Sequence, residues 1–322
     1  MFLINLKQRS KNVFKSCTKF KMIALIIALL VLSPMIYSTV HWFFMVIWYA
    51  FDGIETEQWF ADNACHLDKH PWRVDERQRS EKDVKIAVLT FADDFAGVPY
   101  RIMTTQNKQR YSDLWGLDLI DLNPSDANFK EIMLETGDDM MWMKFELVRR
   151  YLPKYDYLLF LDSDALFKDS YVSIYGLIAE MRLRNEFLAV SSDLYGVNAG
   201  AFLIKNSKLG KLFLDEARRM KAFIQAEDKK SPLMIWREQE MFHFLLNIWP
   251  TARAWKGGDK PVYDYYTLFL NHTAHLERCI FQQILLSWSE QRHLEFSENA
   301  FIVHCVGHNK MQCVQEQLLL VK

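Results

Sequence analysis

The chain has almost no net charge, since 39 Lys and Arg residues face 40 Asp and Glu residues among 322. This balance excludes the strong basic field that proteins use to hold nucleic-acid phosphates, so no nucleic-acid partner is expected. The sequence also lacks internal repeats and low-complexity segments, so it is not a repeat array. Half of the residues are apolar, which is enough for a large folded core.

Charge is also missing from two stretches at the start of the chain. Residues 1–21 contain six basic residues and no acidic one, and residues 22–51 contain neither kind. The uncharged run exceeds the roughly 20 residues that span a bilayer, and no small-residue cleavage site follows it. We interpret residues 22–51 as a transmembrane signal anchor; the alternative is a buried core helix.

The flanks of this run predict its orientation. The basic residues 1–21 form a cytoplasmic tail, while acidic residues follow the run, so the bulk of the chain is expected to be lumenal. Residues 52–83 are polar and irregular and are interpreted as a stem, which leaves 84–322 as the lumenal domain. One N-glycosylation sequon, Asn271-His272-Thr273, is usable on that side, so a glycoprotein is expected.

Cysteine is scarce, with five residues in the chain. Cys17 lies in the predicted cytoplasmic tail. The other four would lie in an oxidising compartment, which permits three complete disulfide pairings, and the sequence leaves them open. These four are Cys65, Cys279, Cys305 and Cys313.

The lumenal part alternates between patterns typical of strands and of helices, which predicts an α/β domain with a central sheet. Strands are expected at 84–91, 117–122, 157–161, 187–191, 198–204 and 301–304, and helices at about 99–115, 139–151, 208–226 and 238–246. A polar loop is expected after the last strand.

Two carboxylates, Asp162 and Asp164, follow the short apolar run 157–161, which reads as a buried strand of a mostly parallel sheet. Side chains two positions apart in extended chain point to one side, so both can face one hard cation. Ligands of open α/β sheets bind at the carboxyl ends of strands. A divalent cation here could bridge to a substrate diphosphate; the alternative is a solvated turn.

Residues 155–167 resemble the metal-binding segment of glycosyltransferases that have the GT-A fold, an α/β, Rossmann-like nucleotide-diphospho-sugar transferase fold, here behind a transmembrane helix. Within that fold the chain is similar to glycosyltransferase family 34, the galactosyl-, mannosyl- and xylosyltransferase type. Four further stretches agree with this family in its own order. They are Asn107-Lys108 with Tyr111, Trp142-Met-Lys144, Asn198-Ala-Gly-Ala-Phe-Leu-Ile-Lys-Asn206, and Glu238-Gln239.

Two positions depart from family 34. The tail segment His304-Cys-Val-Gly307-His-Asn-Lys310 is closer in spacing to the His-x-x-Gly-x-x-Lys of glycosyltransferase family 8. Glu238 stands where family 34 tends to have Asp. Both families share the GT-A fold and retaining chemistry.

The resemblance implies a role for each matched residue. Asp162, Asp164 and His304 would bind Mn²⁺ or another divalent cation. The donor, a nucleotide-diphosphate sugar, would be bound by Thr90, Phe91, Lys144, Asn198, Gly200, Gly307 and Lys310. Gln239, with Glu238 beside it, would lie where the sugar cation develops. Each has an ordinary alternative: a core histidine, a turn, a solvated lysine or the first turn of a helix.

These expectations combine into a single-pass type II Golgi membrane enzyme that transfers a sugar to a glycan acceptor with retention. The resemblance also allows complexes with other transferases. The first alternative is a catalytically silent lumenal protein with the same fold that binds glycans or partners an active transferase. The second is a metal-dependent phosphohydrolase.

Overall fold

The computed structural model of the chain describes residues 72–73, 84–92, 98–137, 139–193, 196–228, 237–246, 266–276, 281–286, 300–306 and 310–320. These residues all belong to one compact unit, Ala64–Lys322. The predicted tail and anchor lie outside the described residues, and so does the predicted stem apart from Trp72 and Arg73. Within the described ranges, no helix is both long and apolar enough to cross a membrane.

The described strands are β1 (Ile86–Phe91), β2 (Asp118–Leu122), β3 (Tyr157–Leu161), β4 (Ala165–Phe167), β5 (Leu188–Asp193), β6 (Gly196–Lys205), β7 (Thr273–Leu276), β8 (Gln282–Leu286) and β9 (Ile302–Val306). The described helices are α1 (Val98–Trp115), α2 (Ala127–Glu135), α3 (Met140–Tyr151), α4 (Ile174–Leu183), α5 (Lys208–Asp228), α6 (Arg237–Leu246), α7 (Tyr266–Asn271) and α8 (Lys310–Leu320).

Six strands form the central sheet, in the order β2-β1-β3-β6-β5-β7. Pairing is parallel between β1 and β2, β1 and β3, and β5 and β7, whereas β6 is antiparallel to both of its neighbours. The sheet is therefore mostly parallel, as predicted. Because β6 is reversed, its first half lies at the edge where β1 and β3 end, with Ala201 opposite Leu161.

The sheet is covered on both faces, and β3 shows this residue by residue. Leu158 and Phe160 point into a core that contains apolar residues of α3, α5 and α6. Tyr157, Leu159 and Leu161 point into a second core that contains apolar residues of α4. All five side chains are buried, which explains why the strand reads as a continuous apolar run.

A smaller sheet, in the order β4-β9-β8, continues from the end of β3. Strand β4 follows Asp164 directly and pairs antiparallel with β9, which places Ala165 opposite His304. A disulfide between Cys305 in β9 and Cys313 in α8 joins the last helix to this sheet. The small sheet therefore brings the end of the chain next to the turn after β3.

The predicted strands and helices are confirmed, with ends that shift by one or two residues. The polar loop expected after the last strand is wrong in part, because residues 310–320 form α8. Val314 and Cys313 of this helix pack against Val303 and Cys305, which gives the helix an apolar partner that its sequence alone does not reveal. The elements that the sequence analysis missed are α2, α4, α7, α8, β4, β7 and β8.

Candidate metal centre and its surroundings

Asp162 and Asp164 lie in a tight turn between β3 and β4. The backbone N–H of Ala165 donates to the carbonyl of Asp162 at 3.0 Å, which closes the turn. The N–H of Asp162 itself donates to the carbonyl of Gly200 at 2.8 Å, and the carbonyl of Asp164 accepts from Cys305 at 2.9 Å. Backbone bonds to β6 and β9 thus fix both ends of the turn.

His304 completes a three-residue cluster with these carboxylates. Its Nε2 lies 3.0 Å from Oδ1 of Asp164 and 3.8 Å from Oδ2 of Asp162. One ligand atom from each residue lies within 4.8 Å of the others, with Asp164 and His304 buried and Asp162 partly exposed. Two carboxylate oxygens and one imidazole nitrogen are a ligand set that fits a divalent cation such as Mn²⁺.

Gly200 lies directly against the imidazole of His304. A Cβ at this position would overlap the ring, at 2.5 Å from Nδ1, and would lie 2.9 Å from Oδ1 of Asn198. The Asn198 oxygen accepts from the Gly200 N–H at 2.8 Å. The space that a side chain would take is therefore filled by the His304 ring, which only a glycine at position 200 allows.

Lys144, from the middle of α3, connects the metal turn to α6. Its Nζ lies 3.2 Å from Oδ1 of Asp162 and 3.1 Å from Oε1 of Glu238, and it donates to the Ala199 carbonyl at 3.4 Å. Burial alone would lower the pKa of Lys144, but Asp162 and Glu238 outweigh this and raise it above its usual range. Lys144 is therefore a cation that holds two carboxylates together.

Glu238 and Gln239 lie in the first turn of α6, so the expected helix start is observed. Burial raises the pKa of Glu238, and the charge of Lys144 acts against that rise. The Oε1 of Gln239 accepts from the N–H of Ala199 at 3.3 Å. This contact places Gln239 beside β6, one residue before Gly200.

Helix α1 lies against the other side of the turn. The side chain of Asn107 donates to the carbonyl of Phe167 at 2.9 Å and accepts from its N–H at 2.8 Å. Lys108 donates from Nζ to the carbonyl of Ser163 at 3.1 Å. Burial lowers the pKa of Lys108 to about 8, and the nearby carboxylates Asp121, Asp164 and Asp162 act in the opposite direction.

Thr90 and Phe91 end β1 at the same edge of the sheet. Thr90 is buried, and its Oγ1 has no hydrogen-bond partner in the described part of the chain. Phe91 packs against Phe129 and Phe160, with ring centroids 6.2 and 6.1 Å apart. Successive side chains of a strand point to opposite faces of the sheet, so the Thr90 hydroxyl and the Phe91 ring lie on different sides of β1.

The tail segment is described only at its two ends. His304 lies in β9 and Lys310 begins α8, whereas Gly307 lies outside the described residues. The disulfide between Cys305 and Cys313 spans this segment. The sequence left the pairing of Cys305 and Cys313 open, and the structure shows that they form a disulfide with each other. Cys65 and Cys279 lie outside the described residues.

The structure thus brings together most of the residues that the sequence singled out: Asp162, Asp164, His304, Lys144, Asn198, Gly200, Glu238 and Gln239. Sequence reasoning assigned no role to Asn107 and Lys108, although it quoted them as a motif. The signal that would have identified them is a polar pair in a helix that follows the first strand.

Half of the chain is similar to plant sugar transferases. Two proteins named probable xyloglucan 6-xylosyltransferase 1, from Oryza sativa subsp. indica and subsp. japonica, are each 26% identical over 180 residues, which cover 51% of this chain and 37% of theirs. The chain therefore spans little more than a third of the length of these relatives. The similarity supports a glycosyltransferase as the class of protein. No family model matches the chain.

Two solved structures are also similar to the chain. A glycosyltransferase involved in the glycosylation of the major capsid of PBCV-1 is 13% identical, with a TM-score of 0.47, and covers 73% of this chain and 99% of its own. Mouse xyloside xylosyltransferase 1 is 11% identical, with a TM-score of 0.38, and the match covers 69% of this chain and 98% of the mouse chain.

Proposed function

We propose that the chain is a metal-dependent, retaining glycosyltransferase that moves a sugar from a nucleotide-diphosphate donor to a glycan acceptor. The observation that carries the proposal is the cluster of Asp162, Asp164 and His304 at the carboxyl edge of the sheet. Open α/β sheets bind nucleotides at this edge, and the cluster offers the ligands of a diphosphate-bound cation. A bound ion would neutralise charge on the departing nucleotide diphosphate.

The remaining residues of the site would orient a metal ligand or bind the donor. Lys144 fixes one oxygen of Asp162, which leaves its other oxygen facing His304. Lys310, six residues after His304, would add a cation for the diphosphate. Thr90 and Phe91 would contact the nucleoside, while Asn198 would contact the donor sugar from the start of β6.

Retention is proposed from the resemblance to glycosyltransferase families that share retaining chemistry. In a retaining transfer the acceptor attacks the face from which the nucleotide leaves, and the departing phosphate can take the acceptor proton. No side chain is then needed as a base. Gln239 would stabilise the developing sugar cation with its amide dipole, so Gln239→Ala should lower kcat more than it weakens donor binding.

A donor panel tests the proposal. The purified chain is assayed for transfer and donor hydrolysis with Mn²⁺, and nucleotide-activated xylose comes first because the rice relatives are named xylosyltransferases. Asp164→Asn, which is nearly isosteric, should abolish turnover and keep the fold. Asp113→Asn, an exposed change on α1, is the matched control.

Each outcome of this assay has one meaning. Turnover that needs Mn²⁺ and is lost in Asp164→Asn supports the proposal, and an inverted product by NMR contradicts retention. Metal and donor binding without any turnover indicates a silent glycan-binding or partner protein. Release of phosphate from simple phosphate esters indicates a phosphohydrolase.

We also propose a type II Golgi orientation, supported by the charge asymmetry across residues 22–51. Asn271, the last residue of α7, is exposed and can carry a glycan in the folded protein. Expression in a eukaryotic cell should give a glycosidase-sensitive mass shift that Asn271→Gln removes. Protease access to residues 84–322 from the cytoplasmic side would contradict this topology.

A further inference from the structure

We propose that Asn107 and Lys108 are positioning residues for the metal cluster, and that α1 holds the turn at 162–164 in its metal-binding shape. The inference rests on the proposed function, because it assumes that the cluster binds a divalent cation. Neither side chain belongs to the ligand set. Each acts instead on the backbone that carries a ligand.

Asn107 fixes the strand that joins the turn to His304. Its amide group makes both hydrogen bonds of the Phe167 backbone, to the N–H at 2.8 Å and to the carbonyl at 2.9 Å. Phe167 ends β4, whose first residue Ala165 lies opposite His304 in β9. Asn107 therefore acts as a further strand partner for β4 and sets the position of Asp164 relative to His304.

Lys108 fixes the residue between the two carboxylates. Its buried Nζ donates to the carbonyl of Ser163 at 3.1 Å, and the same peptide group leads directly into Asp164. A carbonyl held by a buried cation cannot rotate without breaking a charge-assisted bond. Lys108 thereby limits the directions in which the carboxylates of Asp162 and Asp164 can point.

A third residue of the same helix provides a control. Tyr111, one turn beyond Asn107, donates from its hydroxyl to the carbonyl of Val172 at 2.9 Å and accepts from the N–H of Ile174 at 3.0 Å. These contacts lie after β4, beyond the turn and its ligands. Tyr111→Phe removes two buried hydrogen bonds but keeps the ring that stacks on Phe167.

Positioning and simple electrostatics predict opposite results for Lys108. If the ammonium acts only as a nearby positive charge, its removal in Lys108→Met relieves repulsion and tightens cation binding. If it positions the turn, its removal frees the Ser163 peptide and weakens cation binding. The direction of the change therefore decides between the two.

The experiment is a Mn²⁺ titration of the full chain, followed by the electron paramagnetic resonance signal of free Mn²⁺, with no donor present. Asn107→Ala and Lys108→Met should each raise the Kd for Mn²⁺ roughly 10- to 100-fold, as is typical when a residue that orients metal ligands is removed. Tyr111→Phe should leave the Kd unchanged even where it lowers Tm. Melting curves of all four proteins are recorded in parallel.

An unchanged or lower Kd in Lys108→Met overturns the inference, and so does an equal rise in Tyr111→Phe. If Asn107→Ala does not fold, Lys108→Met decides alone, because it keeps the apolar stem of the side chain. Absence of Mn²⁺ binding by the unmodified protein would instead contradict the proposed function. The two failures are therefore distinguishable.

Discussion

Gly200 and His304 are packed so closely that residue 200 has no room for a side chain, because the imidazole fills the space where a Cβ would lie. Gly200→Ala should therefore push the ring away from Asp162 and Asp164. Residues 202–204 of β6 are paired with both β3 and β5, so the fold should persist. We expect Mn²⁺ affinity to fall roughly 10- to 100-fold. Calorimetric titration with Mn²⁺ measures this, and wild-type affinity in the variant would contradict it.

Lys144 should be important for stability as well as for the site. Lys144→Met leaves Glu238 and Asp162 without their cation, and breaking a buried ion pair costs about 3–5 kcal/mol. Glu238→Gln should cost less, because its amide oxygen still accepts from Lys144. Urea unfolding measures both. Arg150→Met, which loses only exposed contacts to Glu131 and Glu135, is the control and should cost at most about 1 kcal/mol.

Lys108 should make the stability of the metal-free protein depend on pH. Burial lowers its pKa to about 8 in the folded chain, from an ordinary value of 10.5. Between these values the unfolded state binds more protons than the folded state, so stability rises with pH in that window. The full effect is about 3 kcal/mol. Urea unfolding should show that the free energy of unfolding rises less between pH 8 and pH 10 in Lys108→Met than in the unmodified protein. The same rise in both proteins would contradict this prediction.

Trp72 should be part of the folded domain, although it lies in the segment interpreted as a stem. Its indole N–H donates to Glu180 at 3.1 Å, its carbonyl accepts from Ser173 at 2.8 Å, and its Cβ lies where a side chain on Gly176 would be. Trp72→Ala should cost about 3–5 kcal/mol.

A fragment that begins at residue 80 should consequently melt well below one that begins at residue 64. Thermal denaturation of the two fragments is the direct comparison. Equal melting temperatures would show that the packing of Trp72 contributes little. Gly176→Ala in the longer fragment should reproduce part of the loss, because the added Cβ would lie 2.9 Å from Cβ of Trp72.

The disulfide between Cys305 and Cys313 should restrain the tail segment in both the free and the bound protein. Reduction, or Cys313→Ser, should cost roughly 2–3 kcal/mol for so short a loop. We further expect Mn²⁺ with a nucleotide diphosphate to increase hydrogen-exchange protection of residues 304–313, because this segment would then act as a lid. Equal protection with and without these ligands would rule out the lid.

The sequence predicted those parts of the fold whose signal is local. Strand β3 follows from five apolar residues before Asp162, and α3 follows from its apolar spacing. Helix α4 was not predicted, although Ser173 is a typical N-cap residue directly before its first turn. Strand β4 could not be predicted from the sequence, because its three residues form a strand only by pairing with β9.

The site divides in the same way. Asp162 and Asp164 could be predicted as site residues because they directly follow an apolar strand. The residues that contact them could not, because those contacts join distant positions of the sequence. The ion pair between Lys144 and Glu238 joins residues 94 positions apart, and the bond from Lys108 to Ser163 joins residues 55 apart. The family resemblance singled out both Lys144 and Glu238, but it did not predict that these two side chains form an ion pair.

Strand β7, which follows Asn271, pairs with the start of β5, where Thr273 lies opposite Leu188. Leu188 in turn lies opposite Ile204, and Ile204 opposite Leu158 near the start of β3. The exposed side chain of Asn271 is thus at the opposite end of the sheet from the turn after β3. A fluorophore or a surface tether attached at position 271 would leave the carboxyl edge open, so the protein can be immobilised there for single-molecule work.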